Sequence, residues 1–171
     1  MSGAQTSLRE VAPEHSLDAT YVASHHTVGG LTMSAVETKA LVRRFIDEVM
    51  NQGNIAAIDE LLAPDFAEHE EIPPGIPRNR EGVKLVFSMY HRAFSEISVT
   101  VDDEIGEGDK VASLVTVQAT HTGEYAGIPP TSRRVVFQVF ESFRIAGGQI
   151  VEHWGISDRL RMLQQLGVIP A

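Results

Sequence analysis

The residues best suited to chemistry lie in one C-terminal run, Gly147–Gly167, which reads GGQIVEHWGISDRLRMLQQLG. Asp158 ends this run's extended part, four residues after Trp154. A carboxylate held at a strand end beside an aromatic ring can give and take protons. Regular alternation puts Glu152, Trp154, Ile156 and Asp158 on one face, with Val151, His153, Gly155 and Ser157 on the other. Trp154 and Ile156 are expected to form the core face, which would carry Asp158 into an apolar interior and suit it to proton shuttling. A structural role competes: Asp is a favoured N-cap, and a helix is expected to start at Arg159. Glu152 shares the expected inner face, as an orienting partner or as a rim carboxylate. His153 is expected on the opposite face, at the surface or at a subunit contact.

Two further histidines are candidates. His69 lies in the short segment Asp65–Glu71 and His121 at the end of a long strand, each as a single His among polar residues. Both can be proton donors to a ligand, or ordinary solvated or core-satisfied side chains. Phe87, Tyr90 and Phe94 recur at helical spacing and are expected to line a pocket or to pack in the core. Tyr125 and Ile128 sit on a loop stiffened by Pro129 and Pro130. The triplet IPP occurs at 72–74 and again at 128–130, so two rigid apolar loops can wall one opening. No Ser-His-Asp order, HExxH motif, Walker loop or dinucleotide glycine fingerprint is present.

Composition narrows the classes. The chain has 171 residues with 14 Lys and Arg against 23 Asp and Glu, a net charge of -9, and no cysteine. An acidic surface repels polyanions, so nucleic acid is an unfavourable partner. Disulfides, thiolate metal sites and cysteine nucleophiles are excluded. His15, His25 and His26 lack the acidic spacing of a metal site, and neither metal nor organic cofactor is expected. The sequence contains no apolar stretch of the roughly 20 residues that span a bilayer, and its start lacks a secretory pattern, so a cytoplasmic setting is expected.

The elements that must position these residues follow from periodicity. Residues 1–32 have no sustained period and are read as a flexible extension. Ser34 with Glu37 makes a capping box before a helix whose Leu41, Val42, Phe45, Ile46, Val49 and Met50 form a core stripe ending near Gly53. A short helix carries Ile55, Ile58, Leu61 and Leu62, and Asn79 caps a third. From Ile97 the period becomes 2, predicting strands near 97–105, 110–121, 133–145 and 149–157 with a tight turn at Gly147-Gly148. The order predicts an α+β domain over 33–171, in which three helices cover a curved antiparallel sheet, enclose a pocket, and are followed by a short C-terminal helix. Phe137, Val139, Phe140 and Phe143 make one strand apolar on both faces, which predicts a homo-oligomer, dimer or tetramer.

The segments FAEHEEIPPGIPRNREGVKLVFSMYHRAF (66–94), THTGEYAGIPPTSRRV (120–135) and the run 147–167 resemble the SnoaL-like polyketide cyclase, or ester cyclase, family. The resemblance covers 33–171 and implies the NTF2-like cone. By that likeness Asp158 would be the acid/base, with His69 and His121 as donor candidates. Trp154, Tyr90, Phe94, Tyr125, Ile128, Phe87 and Glu152 would surround the substrate. The reaction implied is a cofactor-free intramolecular aldol condensation of a small apolar or polyketide-like molecule. A hydrolase or isomerase on the same cone and a noncatalytic small-ligand binder are the alternatives.

Overall fold

The computed structural model describes residues 33–170. Helix α1 (Ala35–Phe45) starts where its cap dictates: the Ser34 side chain accepts from Glu37 N–H, and the Glu37 carboxylate accepts from Ser34 N–H at 2.7 Å. It continues through a π-helical segment, Ile46–Asn51, in place of a regular last turn. A 3₁₀ turn (Ile55–Ala57) and the short α2 (Ile58–Leu61) lead into strand β1 (Leu62–Glu68). Helix α3 (Arg80–Ala93) is capped by Asn79, which accepts from Gly82 N–H at 3.1 Å. Gly82 is required there, since a Cβ would lie 1.7 Å from the Pro77 carbonyl oxygen. Strands β2 (Phe94–Glu107), β3 (Lys110–His121), β4 (Arg134–Ala146) and β5 (Gln149–Ser157) follow, then α4 (Arg159–Leu166). No helix among the described residues is long and apolar enough to cross a membrane.

The sheet order is β1-β5-β4-β3-β2. Strands β2 to β5 form the expected antiparallel meander, and Gly147 and Gly148 turn its last hairpin with φ of 58° and 80°. Such paired positive angles match the twist of the flanking strands. The edge strand β1 departs from an all-antiparallel sheet, because it pairs parallel to β5, with Glu68 opposite His153. Register breaks on β2, between Ser95 and Ser98 and between Val101 and Asp103, bend the sheet as bulges do. Val42, Phe45, Ile46 and Val49 are buried with Val111, Val115, Val139 and Phe143 in one apolar cluster. Truncating a side chain such as Phe45 would cost about 3–5 kcal/mol. The architecture is the α+β arrangement of N-terminal helices with a curved sheet expected of an NTF2-like cone.

Candidate functional site

A chamber opens within this fold, lined by α1, α3, the inner face of the sheet and the loop after β1. Its wall is largely hydrocarbon and aromatic, with Phe45, Phe66, Phe87, Tyr90, Phe94, Phe137 and Phe143 among the lining residues. Exposed lining residues Glu71, Pro73 and Arg159 mark the mouth, while buried Glu68, Glu141 and Ile150 mark the inner end.

The inner end is polar. Glu68, the last residue of β1, takes a hydrogen bond from His153 Nδ1, at 2.9 and 3.0 Å to its two oxygens. Parallel pairing of β1 on β5 creates this contact, which neither segment announces alone. The bond fixes the tautomer, leaving Nε2 buried without a hydrogen-bond partner. Glu141 lies on the neighbouring β4, with its residue 5% exposed and Oε2 likewise unpartnered. Burial pushes its carboxyl up to about 7, and the fields of Glu70 and Glu68 add to the effect against the opposing pull of His153. For His153 burial disfavours the imidazolium. The Glu68 hydrogen bond and the charges of Glu68, Glu141 and Glu70 together outweigh that and raise its proton affinity. Glu141 and His153 are diagonal neighbours on adjacent strands, since Glu141 is opposite Gly155 and Phe143 opposite His153, and each acts on the other's proton affinity.

Nearer the mouth, Glu70 Oε1 accepts from Ser157 Oγ at 2.9 Å and faces Arg159 Nη2 at 3.5 Å. Arg159 also donates to the Glu71 carbonyl, tying α4 to the loop after β1. Gly155 makes room for this arrangement: a Cβ there would stand 2.6 Å from Glu70 Oε2.

The β5 faces are the reverse of the sequence expectation. His153 and Ser157 line the chamber, whereas Trp154 and Ile156 are 37% and 76% exposed on the outer face. The physical reason is the register break between Ile150 and Glu152, which adds one residue after inward-facing Ile150 and so turns His153 in and Trp154 out. Asp158 is accordingly exposed, and its carboxylate caps α4 by accepting from Arg161 N–H at 3.1 Å. It does not line the chamber. Glu152 also points outward, ion-paired with Arg144 at 2.9 Å, which holds its carboxyl below the usual range.

His69 is exposed and stacks on Trp154, with ring centroids 4.6 Å apart and planes 8° from parallel, outside the chamber. His121 is fully buried but does not line the chamber either. Its Nδ1 accepts from Thr131 N–H at 3.3 Å, and burial lowers its proton affinity. Phe87, Tyr90 and Phe94 do line the chamber. Tyr125 instead backs them, stacking on Tyr90 at 5.6 Å, and Ile128 packs in the same secondary cluster. Sequence reasoning missed Glu68, Glu141 and the inward direction of His153. A signal for Glu141 was present: it is the one acid in the alternation Val135, Phe137, Val139, Glu141, Phe143, Ile145.

Comparison with known proteins agrees with this architecture. The family model described as SnoaL-like polyketide cyclase matches residues 40–166. No curated protein sequence matches the chain. Among solved structures, TsrD from Streptomyces laurentii is 26% identical with a TM-score of 0.73, covering 80% of this chain and 99% of its own. IdmH from Streptomyces antibioticus, described as a candidate polyketide cyclase, is 36% identical with a TM-score of 0.65, covering 79% and 99%. AclR from Streptomyces galilaeus, described as a candidate hydroxylase, is 28% identical with a TM-score of 0.70, covering 80% and 100%.

Proposed function

The chain belongs to the SnoaL-like polyketide cyclase family, and from that premise we propose that it closes a ring in a small polyketide-like molecule by acid/base catalysis of an intramolecular aldol addition. Glu141 is the base in this reading and His153, oriented by Glu68, is the acid. The carboxylate removes a proton from a carbon flanked by carbonyl groups. The resulting enolate carbon attacks a ketone or aldehyde carbon of the same molecule, and the displaced carbonyl electron pair becomes an alkoxide. The His153 imidazolium delivers its Nε2 proton to that oxygen. The apolar wall holds the chain folded and excludes water, which supplies orientation. The carrying observation is a buried carboxyl oxygen with no protein partner, in a residue lining the chamber beside a histidine whose Nε2 is equally free.

A suitable assay follows, by chromatography, closure of an aryl-substituted δ-diketone that carries an ester carbonyl on its nucleophilic carbon to the cyclic β-hydroxy ketone. Glu141→Gln keeps the shape and removes the base; a loss of about 10²-fold or more in turnover is expected, with diketone binding retained in calorimetry. Undiminished turnover would dispose of this assignment. Asp158 has no part in the proton transfer so read. The outer row of Phe140, Trp154 and Ile156 is the surface we assign to a second copy of the chain, making the protein a homo-oligomer.

A further inference from the structure

Three buried side-chain oxygens without a hydrogen-bond partner among the described residues stand in one row across the sheet. They are Glu104 Oε1 on β2, Ser113 Oγ on β3 and Glu141 Oε2 on β4. Register sets the row, since Glu104 is opposite Ser113 and Ser113 is opposite Glu141. Directly opposed residues of antiparallel strands share a face, with Cβ atoms about 4.5–5.5 Å apart. One hydroxyl is thus flanked by a carboxyl on each side. The Glu104 side chain is 2% exposed and Ser113 1%. Buried polar groups left unsatisfied are costly and rare, and only Glu141 of the three lines the chamber.

A single proton satisfies all three oxygens. Protonated Glu141 donates to Ser113 Oγ, and the Ser113 hydroxyl donates onward to Glu104, directly or through one bridging water. Glu104 is fixed as an acceptor: Arg43 Nε and Nη2 hold its Oε2 at 3.0 and 2.9 Å, and Lys39 Nζ takes its backbone carbonyl at 2.9 Å. With Glu141 ionised, two carboxylates compete for one hydroxyl hydrogen and one oxygen stays bare. We propose that Ser113 and Glu104 are positioning residues for Glu141, forming with it a hydrogen-bond chain across three strands, ended by Arg43, that favours the proton-loaded chamber carboxyl. The other charged groups facing Glu141 are Glu68, Glu70 and His153, which act from β1, the following loop and β5. The chain deepens the acid/base reading above and rests on it for its functional meaning.

The test is infrared titration of the buried carboxylic acid band, assigned to Glu141 by its disappearance in Glu141→Gln. The chain as a whole holds two hydrogen bonds with Glu141 protonated and one with Glu141 ionised. Ser113→Ala is therefore expected to lower the titration midpoint by about one pH unit. Ser113→Thr keeps the hydroxyl and restores the midpoint, which a merely volumetric effect would not do. Glu104→Gln keeps an acceptor oxygen whereas Glu104→Leu removes it at the same charge, so a lower midpoint in Glu104→Leu than in Glu104→Gln reads the chain and decides the matter if Ser113→Ala does not fold. If Glu141→Gln still closes the diketone, the catalytic reading fails while the infrared midpoints score the chain independently. An unshifted midpoint in folded Ser113→Ala, or equal midpoints in Glu104→Gln and Glu104→Leu, overturns the chain.

Discussion

Glu141 illustrates how one residue can set conflicting demands on stability and chemistry. Its folded carboxyl is held at about 7, above the ordinary 4.5, by burial first and by Glu70 and Glu68 next. The fold therefore favours the protonated form. That contribution is complete below about pH 4.5 and is lost as pH rises through about 7, and the difference amounts to roughly 3 kcal/mol. Glu141→Gln cannot ionise, so its melting temperature relative to the parent should climb by roughly 6–12 °C between pH 5 and pH 8. A constant gap across that range would refute the burial argument. The raised proton affinity of His153 has the same sign: its stabilising share is present at low pH and lost as pH rises past its folded value. Gly155 is the other sensitive residue. Gly155→Ala drives a methyl into Glu70 Oε2, a flexible terminus, so stability should fall by less than about 1 kcal/mol. The displaced carboxylate loses Ser157 and Arg159, which loosens the mouth; the expected signature is a raised KM with kcat retained.

At the scale of elements, α4 separates the two roles that Asp158 could have held. Its carboxylate accepts from Arg161 N–H, and the residue is exposed. Asp158→Ala should cost about 1 kcal/mol in chemical denaturation, as lost N-caps do, and leave diketone closure within a factor of two or so of the parent. A collapse of turnover without loss of stability would return Asp158 to the chemistry. Local signals announced most elements here: the Ser34–Glu37 box, the Asn79 cap, the Gly147-Gly148 turn and the meander all rest on contacts within a few residues. The inner end of the chamber was illegible for the opposite reason. Glu68 and His153 meet through a parallel pairing across 85 positions, and no window along the chain contains both. The register break after Ile150 has no local signal either, so turning Trp154 inward reversed the side chains from Glu152 to Ser157 and moved Asp158 with them. Phe87 and Tyr90 were legible because a helix face is set by its own 3.6-residue period, whereas Phe94 opens β2 just past the end of α3.

For the whole molecule, the reversed β5 changes what the outer surface must do. Phe140 and Ile156 are cross-strand partners on adjacent strands, 50% and 76% exposed, with Trp154 beside them at 37%. Leu114 is opposite Phe140 on the next strand, extending the row over three strands. An apolar band of this kind, bordered by the Arg144–Glu152 pair, suits burial against an identical band related by a twofold axis. Such association would also shield the aromatic stack of Trp154 on His69. The chamber faces the other side of the sheet, so the two functions are separable. Ile156→Lys, changing only the outer face, should convert a dimer at micromolar concentration to monomer in sedimentation velocity, because a desolvated ammonium at the centre of the contact has no partner. Ligand affinity in the chamber should be unchanged to within a factor of about two, which corresponds to the few tenths of a kcal/mol by which distant sites couple. A parent protein already monomeric at that concentration would exclude the outer row as a self-association surface.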